Sequence, residues 1–540
     1  MENRRVDGAR VTAVVEAAAG ILLFASLALF FALAKPQNLL LFVSDHAGYY
    51  LKIAENVVAG RGLSLDGIDS TTGFQPLWLA VLVPLSRLAS GLSHEAILRL
   101  TLVLQLVLLA AAAVVLRRVN RAWYSPGTAL FSGLLYYALV VLVAANGMES
   151  ALLVLLLVAL LHAACWWNLG GGASQARHVL FGGLLGLVML ARLDMVFLGV
   201  TAVAAVLVAG IRRGQRGYRA ALAAVAVSVG AMVAVLPYLM FNLITSGHVV
   251  PMSGMVKSSF PVPYRWMDVS GKFDRRTLVF AVVACGLASY HLGRLAWAVI
   301  RKRPNRLSAF DVSVAALAGA VVSHAAYTLV FGNSAFCSWQ FISYAVVAAV
   351  GLNPLVDRGL RDTRIPGWVR NGIYGLAVSG LFLYLGQRVW LRASTDFRIP
   401  PQLAWHAASY EAAVWVRSRL PSDAVLAIDH GGIFAYFAAR PVVNLDGVVN
   451  NFAYQDAVRE RRLRDYLHRK GVGYVAHHGF TLRPDILDAT YRSFTVPVVG
   501  RLSDTRNDEL AMAREQEVYR SAPYRDESGR QAFLIWRLRE

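Results

Sequence analysis

Long apolar runs separated by short polar connections make up the chain as far as about residue 387. A helix needs about 20 largely apolar residues to cross a bilayer, and the runs are close to this length. The predicted spans lie at 14–34, 126–145, 151–167, 178–191, 195–211, 219–241, 277–300, 307–331, 336–355 and 366–385. This pattern predicts a polytopic α-helical membrane protein.

Two apolar runs lie between Thr72 and Leu116, where the charge pattern leaves room for an odd number of crossings. The first run, 74–92, contains Pro76 and Pro84, which weaken it as a simple span. We expect this run to lie in the interface or to pack without crossing, and the run at 96–116 to cross. The total is then about 11 spans, against about 12 or 13 on other interpretations of this stretch.

Basic residues fill alternate connections between the spans. The chain has 53 Lys and Arg against 33 Asp and Glu, a net charge of +20, although only 16% of its residues are charged and 57% are hydrophobic. The arginines at 117–121, 212–219, 301–306 and 358–370 face the cytoplasm by the positive-inside rule. We therefore expect a multi-pass membrane protein with a cytoplasmic N-terminus and an extracytoplasmic C-terminus. The basic excess indicates topology and contact with anionic lipid, so nucleic acid is not an expected partner.

After about residue 388 the apolar runs shorten to strand length. Predicted strands at 424–428, 441–445, 472–476, 494–499 and 532–536 alternate with predicted helices at 410–420, 433–438, 454–469 and 484–492. Such alternation is typical of an α/β layer with a mostly parallel sheet. We expect a transmembrane module over 1–387, with a first outer loop at 35–73, and a soluble extracytoplasmic α/β domain over 388–540.

The first outer loop combines a helix with a carboxylate. Apolar residues from Tyr50 to Val58 share one helical stripe, which predicts an amphipathic helix along the membrane surface. Asp45 stands just before this helix and could take a proton from an acceptor hydroxyl. Capping of the helix by Ser44 or Asp45 is an equally good interpretation.

Two other outer connections carry charged groups. Glu149 follows Asn146 by three residues, which fits either a second functional acid or a capping box. Asp194 is suited to capping the next helix or to contacting a sugar. Arg192 is suited to an anionic headgroup at the lipid boundary.

The remaining polar candidates lie further along the chain. Lys257 could neutralise a phosphate, and His248 could bind a phosphate oxygen or a metal, with the Asn242 amide nearby in the sequence. The alternative for this segment is a solvated loop with a snorkelling lysine. In the outer domain, Asp446 and Asn450 could contact sugar hydroxyls or form an ordinary polar turn. The sequence contains no metal-spaced His or Cys cluster, P-loop or Gly-x-Ser-x-Gly elbow.

Six segments carry a resemblance to a known class, and they occur in this order: SDHAGYYLKIAENVVAGRGLSLDG, TTGFQPLW, NGMESALL, ARLDM, NLITSGHVVPMSGMVKS and DHGGIFAYFAARPVVNLDG. They resemble GT-C membrane glycosyltransferases that use polyprenyl-phosphate sugars, and more narrowly bacterial relatives of the mycobacterial terminal arabinofuranosyltransferases. The resemblance implies a GT-C-like fold and an inverting transfer on the outer face. The sugar would be arabinofuranose rather than mannose or another sugar, and the acceptor a cell-envelope glycan or glycolipid.

The resemblance also implies roles for individual residues. Asp45 would be the general base, with polyprenyl phosphate as the leaving group. Glu149 would orient the acceptor or help to hold a divalent metal (Mg, Mn or Ca), with Asp45 and His248 as further candidate ligands. Arg192 and Lys257 would clamp the departing phosphate. Many members have two adjacent acids in the first loop, whereas Asp45 is followed here by His46, which puts the metal in question.

Two other functions fit the sequence less well. In a transporter or lipid-linked sugar flippase, Glu149, Arg192 and Asp194 would be coupling or substrate charges, and such charges belong near mid-span. The charges here are expected at the outer ends of spans. A noncatalytic scaffold whose outer domain binds a partner is the remaining alternative.

Overall fold

In the computed structural model, the residues described are 2–169, 173–264, 275–301, 308–332, 338–361, 366–393, 404–481, 489–492, 509–512, 514–526 and 529–538. The chain forms a helical bundle followed by an α/β unit, as the sequence predicts. The predicted strand at 494–499 lies outside the described residues.

The bundle begins with helices that bring the first outer loop against the ends of the spans. The helices up to residue 191 are α1 (Glu2–Leu33), α2 (Pro36–Leu39), α3 (Asp45–Val58), α4 (Pro76–Leu88), α5 (His94–Trp123), α6 (Pro126–Tyr136), α7 (Leu142–Ala144), α8 (Ser150–Trp166) and α9 (Gln175–Ala191). A π-helical turn, Tyr137–Val141, joins α6 to α7.

The second half of the bundle follows a 3-10 turn at Leu193–Met195. Its helices are α10 (Val196–Arg212), α11 (Gly217–Ser246), α12 (Met252–Val256), α13 (Arg275–Ile300), α14 (Ala309–Phe331), α15 (Ile342–Gly351), α16 (Asn353–Arg361) and α17 (Gly367–Ala393). The predicted domain boundary at 387 and 388 falls inside α17.

Each predicted span coincides with helix in the described residues. Eight segments are long and apolar enough to cross a membrane, and α8 and α9 are apolar helices of 17 residues each. In the stretch between Thr72 and Leu116, α4 has only 13 residues and contains Pro84, whereas α5 has 30. Since a crossing takes about 20 residues, these lengths agree with the prediction that only the second run crosses.

Helices α9 and α11 pack backbone against backbone. A Cβ atom added at Gly182 would lie 2.1 Å from the Val227 carbonyl oxygen, and one at Gly230 would lie 2.1 Å from the Val179 oxygen. Small residues at such crossings let membrane helices approach closely, which compensates for the weak hydrophobic driving force between helices in lipid.

The α/β unit contains one mixed sheet flanked by helices. Its elements are α18 (Ala404–Arg419), β1 (Val425–Ile428), α19 (Gly432–Ala438), β2 (Val442–Asn444), α20 (Phe452–Arg459), α21 (Leu463–Arg469), β3 (Val472–Thr481), β4 (Ala489–Arg492), β5 (Glu509–Met512), β6 (Glu517–Arg520), β7 (Tyr524–Asp526) and β8 (Gly529–Arg537). The main sheet has the order β2-β1-β3-β8-β6, with β7 also paired to β8, while β4 and β5 form a separate pair.

Two predictions about this unit are wrong. The sheet is mixed rather than mostly parallel, since β1 pairs in parallel with β2 and β3 whereas β8 runs antiparallel to β3, β6 and β7. The predicted helix at 484–492 includes a strand, β4, which pairs antiparallel with β5. Strand direction depends on the path of the chain between strands, which local composition does not encode.

The predicted loop helix exists as α3, but it does not lie along the membrane surface. It packs against α4 and, across the molecule, against α19 of the α/β unit. Its predicted polar face is buried: Lys52 is 3% and Asn56 1% exposed. The Asn56 amide donates to the Ser64 and Leu65 carbonyls, so the first loop folds back over its own helix. The chain turns after α3 at Gly60 and Gly62, which both have positive φ.

Candidate functional site

Asp45 joins the first loop to the α/β unit. Its two carboxylate oxygens accept hydrogen bonds from the Gly432 and Ile433 backbone N–H groups, at 2.9 and 2.8 Å. The residue is 5% exposed, and burial raises its carboxyl pKa to about 7 although these two N–H groups favour the charged form. Asp45 therefore caps α19, a helix almost 390 positions further along the chain, and not its own helix.

A close backbone contact accompanies this bond. A Cβ atom at Gly48 would lie 2.1 Å from the Gly432 carbonyl oxygen, and one at Gly432 would lie 2.0 Å from the Asp45 carbonyl oxygen. Only glycine fits at both positions, so α3 and the start of α19 touch along their main chains.

Tyr49, one turn further along α3, makes the second connection. Its hydroxyl donates to Asp446 Oδ2 at 2.9 Å and accepts from the Gly431 N–H at 3.0 Å and the Asn444 amide at 2.9 Å. Asp446 Oδ1 accepts from the Val448 N–H at 2.8 Å. Both oxygens of the Asp446 carboxylate are thus fixed, and the carboxylate lies beside Asp45 at the domain junction.

His430 completes this group at the exposed side. Its Nδ1 lies 3.7 Å from Asp446 Oδ2, and its side chain is 57% exposed while that of Asp446 is 6% exposed. Burial opposes the charged imidazole, but the carboxylates of Asp446, Asp429 and Asp45 outweigh it and raise the His430 pKa. We call Asp45, Tyr49, His430 and Asp446 the junction cluster.

Lys257 and His46 border the junction cluster. Lys257 follows α12 and interacts electrostatically with both His46 and His430. Burial, followed by the Lys257 charge, lowers the His46 pKa to about 3, so His46 is neutral at physiological pH. Lys257 is therefore near enough to His46 and His430 to act on their charges.

A second group surrounds Arg192, which is buried. Its Nε and Nη2 donate to the two oxygens of Asp194 at 3.1 and 2.6 Å, and its Nη1 donates to the Trp339 carbonyl oxygen at 2.9 Å. Glu149 Oε1 lies 3.8 Å from Nη1. Burial raises the Glu149 pKa although Arg192 opposes this shift. We call Glu149, Arg192 and Asp194 the arginine cluster.

Side chains of α3 and the last spans connect the two clusters. The His46 and Trp339 rings have centroids 6.2 Å apart, and the Trp339 carbonyl binds Arg192. On α3, Tyr49 points to the junction cluster while its neighbour Tyr50 contacts Glu149. Predicted candidates from distant outer connections thus meet around one short helix.

The local capping alternatives are wrong for these acids. Ser44 is the N-cap of α3 and Glu149 that of α8, and neither side chain makes a cap hydrogen bond. The N-cap of α10 is Met195, and Asp194 binds Arg192 instead. All three acids therefore use their carboxylates in long-range or cross-turn contacts.

The other predicted residues border the site. His248 is exposed and stacks on Phe452 of the α/β unit, with ring centroids 3.9 Å apart. Asn242 is fully buried, and its amide donates to the Val249 carbonyl at 3.2 Å, so it supports the loop that carries His248. Asn450 donates to the Asn444 carbonyl at 2.6 Å, which braces the turn after β2.

A shallow surface depression lies between the first loop and the α/β unit. Polar residues of both parts line it: Asp66, Asp69, Ser70, Thr71, Asn444, Asn450 and Asn451. Asp66 and Asp69 are bridged by Lys470, which follows α21. The depression is lined by hydroxyl, amide and carboxylate groups.

The predicted metal ligands do not fit a divalent ion. Within the part of the chain that the structure describes, no three His, Cys, Asp or Glu side chains are placed to hold a metal. Asp45 is bound to backbone N–H groups, Glu149 faces Arg192, and His248 stacks on Phe452.

Sequence reasoning missed several members of the site. The sequence assigns no role to Tyr49, Tyr50 or His430. It also assigns none to His324, whose Nε2 lies 3.5 Å from Asp194 Oδ2. The one local signal for His430 is its position between Asp429 and a Gly-Gly pair at the end of a strand, an edge where ligands often bind.

Comparisons with known proteins identify solved structures with a similar fold. Residues 401–520 match a family described as a domain of unknown function, DUF8728. No curated protein matches the chain. ArnT from Cupriavidus metallidurans, solved with undecaprenyl phosphate, is similar over 91% of this chain and 97% of its own, with 15% identity and a TM-score of 0.52. The chain has the fold of ArnT.

Two other structures are similar at lower scores. The apo state of the same ArnT matches with 14% identity and a TM-score of 0.49, over 92% of this chain and 98% of its own. The oligosaccharyltransferase AglB from Archaeoglobus fulgidus, solved with an inhibitory peptide and a dolichol-phosphate, has 12% identity and a TM-score of 0.46. That match covers 81% of this chain and 66% of AglB, so this chain spans about two thirds of the archaeal protein.

Proposed function

We propose that this chain is an inverting membrane glycosyltransferase that transfers a sugar from a polyprenyl-phosphate donor to a cell-envelope glycan or glycolipid. The observation that carries the proposal is the meeting of the predicted acids and bases around α3, in a chain with the fold of ArnT. The ArnT structure contains undecaprenyl phosphate, a ligand of the proposed donor class. Arabinofuranose is the proposed sugar on the sequence resemblance.

The donor phosphate is proposed to lie between Arg192 and Lys257. A guanidinium has five N–H donors, of which Arg192 uses three in the described bonds to Asp194 and Trp339, while Glu149 lies 3.8 Å from its Nη1. The N–H group of Nη2 that is not bonded to Asp194 is the donor proposed for a phosphate oxygen. Lys257 adds a second positive charge on the side of His46. Two cations on one phosphate stabilise the charge that develops as the carbon–oxygen bond breaks.

The acceptor is proposed to approach from the α/β unit. The depression lined by Asn444 and Asn450 offers amides, hydroxyls and carboxylates that can hydrogen-bond sugar hydroxyls, and Asp446 follows Asn444 by two residues in the chain. In the transfer, an acceptor oxygen attacks the anomeric carbon, its proton passes to a base of the junction cluster, and the polyprenyl phosphate leaves with the bonding electrons. Asp194 and Glu149, held by Arg192, would orient the sugar, and Asn242 would hold the loop beside them.

The test is a transfer assay on the purified full-length protein in lipid nanodiscs. We would supply undecaprenyl-phosphate donors carrying arabinofuranose, mannose or another pentose separately with a cell-envelope glycan extract, and identify products by mass spectrometry. We expect transfer from the arabinofuranose donor and none after Asp45→Asn. Asp423→Asn, at an exposed position of the α/β unit, is the control that should retain activity. No transfer from any donor would refute the proposal, and unchanged transfer by Asp45→Asn would remove Asp45 from the site.

A further inference from the structure

The geometry of Asp45 limits its use as a base. Both of its oxygens already accept backbone N–H bonds from α19, and the residue is almost fully buried. To take a proton from an acceptor hydroxyl, the carboxylate would have to give up a bond that holds the α/β unit in place. A buried group that stabilises a contact between two parts of the chain is better suited to positioning than to proton transfer.

His430 has the opposite properties. Its imidazole is the exposed member of the junction cluster, and its Nδ1 lies 3.7 Å from the Asp446 carboxylate, so Nε2 is the ring nitrogen on the other side of the imidazole from this contact. Its backbone has φ of +40°, a conformation that non-glycine residues rarely adopt and that clusters at functional sites. The next two residues are Gly431 and Gly432, whose backbone N–H groups donate to Tyr49 and Asp45 of α3. These two bonds hold the backbone beside His430 and so fix the position of its imidazole.

We propose that His430, supported by Asp446, is the base that takes the acceptor proton, and that Asp45 is a positioning residue. This rests on the proposed glycosyl transfer. In the step, Nε2 of His430 takes the hydroxyl proton, the acceptor oxygen bonds to the anomeric carbon, and the anomeric carbon–oxygen bond to the phosphate breaks. The electron pair leaves with the polyprenyl phosphate, and the imidazolium carries the proton away.

The surroundings favour the imidazolium that this step produces. Three carboxylates face the ring: Asp446 at the end of β2, Asp429 at the end of β1, and Asp45 on α3. Lys257 opposes them from the α12 side, and the His478 ring of β3 lies 6.0 Å away between centroids. Burial lowers the His478 pKa to about 3, so that ring is neutral and adds no competing charge. The carboxylate excess stabilises positive charge on His430 as it forms.

The test is chemical rescue in the same nanodisc assay. His430→Gly suits the positive φ and opens space for a small base, while His430→Asn also tolerates this φ but offers no base. We expect both variants to lose about 10²- to 10⁴-fold in kcat. Added imidazole should restore transfer to His430→Gly, more so with more basic imidazoles, and should not restore it to His430→Asn or Asp45→Asn.

The pH profile gives an independent readout. If His430 is the base, the acidic limb of kcat in the wild type reflects the His430 pKa and disappears in His430→Asn. If Asp45 is the base, His430→Asn keeps most of its activity. The acidic limb of its kcat profile then moves to higher pH, because the His430 charge lowers the Asp45 pKa and the variant lacks that charge. His468→Asn, at an exposed position of α21, controls for loss of any histidine.

The outcomes separate the two proposals. Transfer by the wild type with near-normal activity of both His430 variants would overturn the role of His430 and leave the glycosyltransferase proposal intact. Loss of activity without imidazole rescue, in variants whose thermal unfolding matches the wild type, would also overturn the role as base. No transfer by the wild type would refute the proposed function itself.

Discussion

Arg192 shows how one side chain can hold a group of buried charges together. Its guanidinium binds both oxygens of Asp194 and one backbone carbonyl, and it lies beside Glu149. A carboxylate buried without its cation costs several kcal/mol. The sequence placed these charges at the end of a span but did not indicate that they pair with each other.

Replacing Arg192 by Gln should therefore destabilise the protein strongly. We expect a loss of about 3–5 kcal/mol in the free energy of unfolding, because Asp194 and Glu149 lose their cation. Denaturant unfolding in detergent measures this. Arg213→Gln, where a surface guanidinium binds Asn168, should stay within about 0.5 kcal/mol of the wild type.

The double variant Arg192→Gln with Asp194→Asn measures the interaction energy between Arg192 and Asp194. Its loss should be smaller than the sum of the two single losses, since each single change leaves an uncompensated partner. Equal losses for Arg192→Gln and Arg213→Gln, or simple additivity in the double variant, would contradict the assigned contact.

The two clusters show what can be predicted from the sequence about a single residue. Asp45, Glu149 and Asp194 were selected because charged residues are scarce and these acids stand at the ends of apolar runs. The partners of Asp45 could not be predicted, since Gly432 and Ile433 are separated from it by almost the whole bundle. Spacing describes contacts within one element, whereas this contact depends on how the α/β unit docks.

At the scale of elements, apolar run length predicted the helices well because it is a local property. The sheet was predicted less well: strands β1, β2, β3 and β8 lie where expected, but β8 runs antiparallel to β3. The prediction that α3 lies along the membrane surface was also wrong, because a hydrophobic stripe on a helix can pack equally well against a membrane or against another part of the protein.

The docking of α3 on α19 leads to a prediction at two glycines. Gly48→Ala and Gly432→Ala each place a methyl group about 2 Å from a backbone oxygen, so the helices must move apart. Hydrogen exchange of the peptide covering α19 should become faster, because the Gly432 and Ile433 amides lose Asp45. Transfer activity should fall in parallel.

Gly473→Ala is the matched control in the same unit, since a Cβ there meets nothing within 4 Å. Its α19 peptide should exchange as in the wild type. Unchanged exchange in Gly48→Ala and Gly432→Ala would mean that the two helices do not touch along their main chains.

Adjacent glycines in α9 allow a sharper comparison. At Gly182 a Cβ would overlap the α11 backbone, whereas at Gly183 it meets nothing within 4 Å. Gly182→Ala should cost about 1–3 kcal/mol through overpacking, and Gly183→Ala should be neutral or slightly stabilising. Thermal unfolding in matched nanodiscs measures both, and equal melting temperatures would argue against close packing of α9 on α11.

At the scale of the whole molecule, the two ends of the bundle differ in character. One end carries the junction cluster, the arginine cluster and the α/β unit, and the other carries the arginine-rich turns such as 212–216. The positive-inside rule predicts that the arginine-rich end is cytoplasmic and that the α/β unit and both clusters face outward. A lipid-linked donor presented on the outer face would then meet Arg192 and Lys257 directly.

Thiol labelling in intact cells tests this orientation. In a variant with Cys165, Cys285 and Cys337 replaced by Ser, a cysteine would be introduced either at Ser418 in α18 or at Tyr218 at the start of α11, both exposed. A membrane-impermeant maleimide should label the Ser418→Cys protein before lysis and the Tyr218→Cys protein only after lysis. The reverse order of labelling would place the α/β unit in the cytoplasm. The proposed acceptor in the cell envelope could not then reach His430, so this result would refute both the predicted topology and the proposed function.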